Sequence, residues 1–367
     1  MSTKKHKFTL KDKFYMEIAL DLARSRHGLT GSNPSVGCVI VKNNKIISIG
    51  QTSFNGRPHA ESNAIKNSFE DLKGSKMYVT LEPCCHHGLT PPCTDLIIKS
   101  KISEVIYSVT DIDKRVSNKS FKILNSKKII VKKGLLKNKI ESFYYPYFFN
   151  RKKKLPYVTG KIAISKNNII YTKYQKKITN IYSDMFSHLL RYQNDGLMIT
   201  YKTLNKDNPR LNCRLKGVKN FSPKRIILDS NLNTKTNSYI IKSSNNKNTL
   251  IFYNKADKSK ISKFKRKGII LVKSKVDRNK RFDIRKILKK LYNFGCRNLL
   301  IEGGNELTNY LIKNKIFNKF YLFKSPKNLS KSSEYLKFSG LNTLNQKYQT
   351  KINLNLNLRK DRITLYR

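Results

Sequence analysis

Two short stretches decide how this chain is read: Pro58-His59-Ala60-Glu61 and Glu82-Pro83-Cys84-Cys85-His86-His87-Gly88-Leu89-Thr90-Pro91-Pro92-Cys93. One His and two Cys from separate segments can hold Zn²⁺ and leave a fourth position open for water. Residues two apart on a helix point different ways, so Glu61 does not share the ligand position of His59. It can face the bound water and carry protons. Cys85, His86 and His87 compete for the ligand role, and Cys84-x-x-His87 also has metal-like spacing. We prefer Cys93 because it repeats the Pro-Cys arrangement at a helix start. His59, Cys84 and Cys93 are all expected at or near helix N-termini, where the local dipole favours a thiolate. His-x-Glu alone arises often by chance; joined to Pro-Cys and Pro-Pro-Cys it is far more specific.

Around these stretches the chain alternates. Thr9-Leu10-Lys11-Asp12 predicts a capped helix running to about Arg26, with Phe14, Ile18 and Leu22 as its buried stripe beside Ala19 and Ala23, and Gly28 as C-cap. Val36–Val41 and Lys45–Ile49 read as strands joined by Asn43-Asn44. A helix near Pro58 carries His59 and Glu61, and strands are expected at Lys76–Leu81, Ser103–Thr110 and Lys128–Lys132. Short strands alternating with helices predict an α/β layered domain.

The polar run Asn150-Arg151-Lys152-Lys153-Lys154 marks the expected boundary, giving domains at 1–152 and 153–367. A second alternation follows. Strands are expected at Tyr157–Ser165, Gly196–Thr200, Arg225–Asp229, Thr249–Tyr253, Gly268–Val272 and Asn298–Glu302. Helices are expected at Ile181–Tyr192, Asp283–Phe294 and Glu306–Lys313. Residues 254–267 and 333–358 are Lys/Ser- and Asn/Lys/Leu-rich and carry little signal. In Glu302-Gly303-Gly304 a strand ends and a helix begins, a turn whose glycines let backbone N–H groups approach an anion. Thr203, Asp207 and Arg214 offer polar groups after another strand.

The chain has 367 residues, 38% hydrophobic, and 76 Lys+Arg against 23 Asp+Glu for a formal charge of +53. Such a field suits nucleic acid. The basic residues are spread along the whole chain, however, Trp is absent, and Lys, Asn, Ile, Tyr and Phe are abundant, so we read the charge as compositional drift in an AT-rich genome. Small phosphorylated substrates benefit from it all the same. Three of six Cys crowd into one motif, which fits metal-binding thiols in a reducing cytoplasm better than disulfides. The start, Met1 to Lys13, is polar and no apolar run reaches membrane-span length, so neither a signal peptide nor a membrane partner is expected.

The general zinc-deaminase pattern is H-x-E followed by P-C-x-x-C. Here the two Cys stand nine apart. With that spacing, Thr80 to Asp95 closely resembles the bifunctional riboflavin-biosynthesis deaminase/reductase family, as do Asn33-Pro34-Ser35-Val36-Gly37-Cys38 and Gly56-Arg57-Pro58-His59-Ala60-Glu61. Leu189-Leu190-Arg191, Thr203, Asp207, Leu211, Arg214, Asp229-Ser230 and Glu302-Gly303-Gly304 look like its reductase half. The resemblance implies a cytidine-deaminase-like three-layer domain followed by a dihydrofolate-reductase-like domain. It implies zinc on His59, Cys84 and Cys93, Glu61 as the proton carrier, and substrate contacts from Asn33 and His86. It further implies NADPH contacts from Ile164, Lys177, Thr203, Asp207, Ser230 and residues Gly303, Gly304, Asn305, Glu306, Leu307, Thr308 and Asn309. Reductase substrate contacts would come from Gln175, Arg191, Leu211, Arg214 and Glu302. Leu89 stands where the family usually has Arg or Lys. Asp111 to Ser120 departs from the family's Asp-Pro-Asn-Pro and glycines, so a looser loop is expected there.

The expected function is deamination of a diaminopyrimidine ribosyl 5'-phosphate followed by NADPH reduction of its sugar to a ribityl chain, in the cytoplasm, with the oligomeric state left open. The leading rival is a tRNA-base deaminase with a basic RNA-binding second half. The nine-residue Cys separation and the lack of an aromatic-interleaved basic patch oppose it. Another rival, a closed structural zinc module, needs a fourth protein ligand such as Cys85 or His87.

Overall fold

The computed structural model describes residues 7–174, 177–245, 248–330 and 334–367. The chain forms two compact units, Met1–Lys154 and Leu155–Arg367.

The first unit opens with α1 (Leu10–Ser25), closed at its start by a capping box between Thr9 and Asp12. Strands β1 (Gly37–Lys42) and β2 (Lys45–Gln51) form a hairpin through Asn43 and Asn44, both at positive φ. Then come α2 (Ala60–Lys66), β3 (Lys76–Leu81), α3 (Cys93–Lys99), β4 (Glu104–Val109), α4 (Lys119–Ser126), β5 (Ile130–Lys133) and α5 (Lys137–Lys153). The sheet order is β2-β1-β3-β4-β5, antiparallel across β2, β1 and β3 and parallel from β3 to β5.

The layering follows from two glycines. A side chain on Gly37 would meet the Ala19 carbonyl of α1; one on Gly50 would meet Ala60 and Ala64 of α2. Gly37 pairs with Gln51 and Cys38 with Gly50, so Gly37 and Gly50 face opposite sides of the sheet and α1 and α2 cover opposite faces. The core-facing stripe of α1 differs from the expected one. Met16, Ala19, Leu20 and Ala23 are buried, whereas Phe14 is 58% exposed and Ile18 and Leu22 only border the core. Close approach to Gly37 selects the face bearing the alanines. Gly28 lies beyond the cap, which is Arg26. The polar run at 150–154 is mostly helix, the last turn of α5.

The second unit contains β6 (Tyr157–Ile164), β7 (Ile169–Thr172), α6 (Ile181–Tyr192), β8 (Gly196–Thr200), α7 (Tyr201–Asp207), β9 (Lys224–Leu228), α8 (Tyr239–Lys242) and β10 (Thr249–Tyr253). After these come α9 (Lys258–Arg266), β11 (Ile270–Lys273), α10 (Ile284–Asn293), β12 (Asn298–Ile301), α11 (Asn305–Lys313), β13 (Lys319–Lys324), β14 (Tyr335–Lys337), α12 (Leu341–Lys347), β15 (Lys351–Asn353) and β16 (Arg362–Tyr366). The nine-stranded sheet runs β11-β10-β9-β8-β12-β6-β13-β16-β15, parallel as far as β13, with β16 and β15 antiparallel at one edge. Its central strands β8, β9, β10 and β12 are buried along nearly their whole length, as a doubly covered parallel sheet requires. In β12, Leu299 and Ile301 enter one core and Leu300 the other. The low-signal run at 254–267 holds α9, anchored by a single buried aromatic, Phe264.

Candidate active site

In the first unit three segments converge on one pocket. His59 is the N-cap of α2, Cys93 is the first residue of α3, and Cys84 follows β3 in irregular chain. The expected helix start at Cys84 is therefore absent: Pro83 through Pro92 form no helix. Its thiol is nonetheless pulled down to about 4, first by a hydrogen bond from the Cys93 thiol, then by His59 and the Cys93 backbone N–H against the effect of burial. Cys93, sharing that contact, is pushed well up.

His59 Nδ1 lies 3.5 Å from Cys84 Sγ and 3.5 Å from Cys93 Sγ, and all three ligand atoms fall within 4.8 Å of one another. A tetrahedral ion with Zn–S about 2.3 Å and Zn–N about 2.0 Å gives an S···N edge of roughly 3.5 Å, so the spacing fits zinc. Cys85 donates to the Arg115 carbonyl, and His87 is exposed beside Asp95. Among the described residues no fourth His, Cys, Asp or Glu joins the group.

Glu61 is 3% exposed, and burial lifts its carboxyl to about 7 despite His59. It lines a pocket of about 90 Å³ with Asn33, His59, Cys84 and His86. Asn33 donates to the Gly56 carbonyl at 2.9 Å, and the buried Nδ1 of His86 has no protein partner. The wall opposite is the 111–118 loop. Glu82, 3% exposed, accepts from Asp111 N at 3.3 Å, Asn118 N at 3.1 Å and Ser120 Oγ at 2.6 Å. That carboxylate ties down the loop expected to be loose. Sequence reading gave no site role to Arg57, although it stands in a quoted motif, nor to Arg115, Tyr147 and Arg151, all of which line this pocket. In so basic a chain no single arginine stands out.

In the second unit, Arg191 of α6 meets Glu302 after β12 as a fork: Nε to Oε1 at 3.0 Å and Nη2 to Oε2 at 2.7 Å. Burial alone would raise the Glu302 carboxyl, but Arg191 and Lys161 bring it to about 2. Lys161, on β6, was also missed; a lysine inside an otherwise apolar strand is the signal that could have found it. Burial pushes its amine down despite Glu302. Arg214 lies close enough to repel Arg191.

Beyond the carboxyl ends of β8, β9 and β12 a cleft of about 510 Å³ includes Thr200, Ser230, Gly304, Asn305, Glu306 and Leu307. This is where open α/β sheets bind ligands. Thr203 borders Gly304. Other expected contacts are turned elsewhere. Thr308 caps the Gly303 carbonyl, Asn309 holds Ser339, and the Ile164 and Leu211 side chains are packed in cores. Lys177 is exposed and pairs with Asp184, and Asp207 ends α7 at the surface. Gln175 lies outside the described residues.

A His/Cys/Cys triangle beside a buried acid, with a cofactor-sized cleft on a separate parallel sheet, defines a zinc deaminase joined to a reductase. Residues 9–109 match the cytidine and deoxycytidylate deaminase zinc-binding region, and residues 156–362 match the RibD C-terminal domain. The chain is 36% identical to riboflavin biosynthesis protein RibD of Actinobacillus pleuropneumoniae, over 87% of this chain and 85% of that protein. It is 34% identical to RibD of Aquifex aeolicus, over 86% and 87%. A Thermotoga maritima structure titled diaminohydroxyphosphoribosylaminopyrimidine deaminase/5-amino-6-(5-phosphoribosylamino)uracil reductase aligns with TM-score 0.81 and 26% identity, covering 97% and 98% of the two chains. The chain belongs to the RibD family. It is a bifunctional enzyme of riboflavin biosynthesis, with a zinc-binding, cytidine-deaminase-like domain and an NADPH-dependent, dihydrofolate-reductase-like domain. No helix among the described residues is long and apolar enough to cross a membrane.

Proposed function

We propose that the first unit hydrolyses the amino group of a diaminopyrimidine ribosyl 5'-phosphate and that the second reduces the ribosyl group of the product to a ribityl chain. The single observation that carries the first half is the 3.5 Å His/Cys/Cys triangle with Glu61 buried beside it. His59, Cys84 and Cys93 hold zinc, which when bound acidifies water and polarises the substrate. Water adds at the amino-bearing carbon and ammonia leaves. Glu61 takes the proton from the water and delivers it to the departing nitrogen. A carboxyl lifted to about 7 is matched to both halves of that task near neutral pH. Asn33 and His86 orient the ring, and the free Nδ1 of His86 offers it a hydrogen-bonding position.

NADPH, bound in the second cleft, supplies the hydride. Thr203, Ser230 and the Gly304–Leu307 turn hold the cofactor. Arg191, Arg214 and Lys161 outnumber Glu302, which leaves net positive charge for the substrate phosphate. Both steps act on a free small molecule in the cytoplasm. The tRNA-deaminase alternative is not favoured, because the second half matches a reductase domain.

The test is incubation with the diaminopyrimidine ribosyl phosphate, with and without NADPH, reading product masses. Deamination without NADPH, its loss in Glu61→Gln with zinc retained, and sugar reduction only with NADPH are expected. Unchanged deamination in Glu61→Gln refutes the assignment.

A further inference from the structure

A ribosyl phosphate entering the deaminase pocket brings a dianion that the residues assigned so far do not hold. Three arginines line that pocket: Arg57, Arg115 and Arg151. Two are already engaged. Arg115 is locked to Asp113 through Nε at 3.0 Å and Nη2 at 2.6 Å. Arg151 donates to the Ser32 carbonyl at 3.3 Å, lies over the Tyr147 ring at 5.3 Å, and its charge is already committed to the neighbouring Asp111 and Asp113 carboxylates, which it favours in their ionised form.

Arg57 is different. Its Nη1 donates to Thr90 Oγ1 at 2.6 Å, and it forms no ion pair with a carboxylate among the described residues. The other guanidinium nitrogen lies against the same turn: a carbon added to Gly88 would stand 3.6 Å from Nη2. Between Gly88 and Thr90, Leu89 is uncharged and 89% exposed. The Thr90 hydroxyl accepts from Arg57, so its own O–H is left to donate outward. The result is an uncompensated guanidinium, steadied at one nitrogen, beside a hydroxyl donor, two residues before His59. Its remaining N–H groups match the oxygens of a phosphate, which an arginine fork grips through parallel charge-assisted hydrogen bonds.

We propose that Arg57, with the Thr90 hydroxyl, binds the 5'-phosphate of the substrate in the deaminase site and so sets its preference for the phosphorylated form. The inference rests on the function proposed above. The anion is gripped from the segment leading into the metal-binding helix, so the phosphate and the reacting carbon are positioned by one short piece of chain.

The experiment uses the full, zinc-loaded chain and two substrates, the diaminopyrimidine ribosyl phosphate and its dephosphorylated form. In Arg57→Ala, KM for the phosphorylated substrate rises roughly 10- to 100-fold, the range for losing charge-assisted hydrogen bonds. Its kcat, zinc content and KM for the dephosphorylated substrate stay near wild type. Arg57→Lys recovers part of the loss, and Leu89→Lys placed in the Arg57→Ala chain restores a cation to the same turn and lowers KM again. Ribose 5-phosphate, tested as a competitive inhibitor of deamination, weakens by a similar factor in Arg57→Ala. Wild-type activity with equal KM changes for both substrates, or with no change for either, overturns this inference alone. A wild-type chain that deaminates neither substrate overturns the proposed function and this inference with it.

Discussion

Replacing Glu302 by Gln is expected to cost the reductase unit about 3 kcal/mol at neutral pH, and the figure is reached by two routes. The first is the pair itself. Arg191 and Glu302 meet by two hydrogen bonds with side-chain exposures of 13% and 14%. Removing one partner of such a buried pair leaves the other charge uncompensated, at roughly 3–5 kcal/mol. The second is titration. Burial opposes the charged carboxylate, yet Arg191 and Lys161 together bring its pKa from 4.5 to about 2. At about 1.4 kcal/mol per unit, that depression is worth about 3 kcal/mol. Because the folded value lies below the unfolded one, the stabilisation is present above pH 4.5 and is lost as pH falls through about 2. The assay is urea unfolding of the intact chain from pH 7 downward, following the transition that NADPH shifts, since ligand binding marks the reductase unit. The Glu302→Gln deficit should be largest at pH 7 and shrink steadily below pH 4.5, and Arg191→Met in the same chain should recover part of it. A variant as stable as wild type at pH 7, or a deficit that acid leaves unchanged, refutes the reasoning.

Three further outcomes test other parts of the molecule. Cys84→Ser should abolish zinc retention and deamination, measured by metal analysis and product mass, while NADPH oxidation on the deaminated intermediate continues. Gly37→Ala should lower the thermal stability of the first unit by about 1–3 kcal/mol, the usual penalty for overpacking, because its new carbon would stand 1.8 Å from the Ala19 carbonyl oxygen and force α1 off the sheet. Asp283→Ala removes the cap that accepts from Lys286 N at 3.1 Å and should destabilise α10 by about 1 kcal/mol in thermal unfolding of the second unit.

The residues of the metal triangle were legible because zinc chemistry restricts both their types and their spacing. Most strands were legible too: Lys76–Leu81, Gly196–Thr200 and Thr249–Tyr253 read as short apolar runs between polar turns, and the structure forms them at those bounds. The buried face of α1 was not. Phe14 outweighs Ala19 on any hydrophobicity scale, but the helix turns its small residues inward to reach Gly37. Helix α9 was lost in a Lys/Ser-rich run because its core contacts, Phe264 and the partly buried Ile261, are too few to show a period. Arg191 and Glu302 lie 111 residues apart, so only the family resemblance brought them into one site. Arg57 was given no role because local sequence does not say which of 76 basic residues faces a pocket, whereas Lys161 left a signal in its apolar strand that went unread.

The grip of Glu82 on the 111–120 loop bears on how this chain tolerates change. Two of its three donors are the main-chain N–H groups of Asp111 and Asn118, and only Ser120 contributes a side chain. Main-chain donors are present whatever residue stands at those positions, proline excepted. On the Glu82 side the wall is therefore held mainly through main-chain donors, while side chains fix the rest of the loop: Arg115 is locked to Asp113, and Asp111 accepts from Tyr147. A change of side chain at 111 or 118 leaves these two bonds to Glu82 in place, whereas a change at Asp113, Arg115 or Ser120 removes contacts that shape the loop.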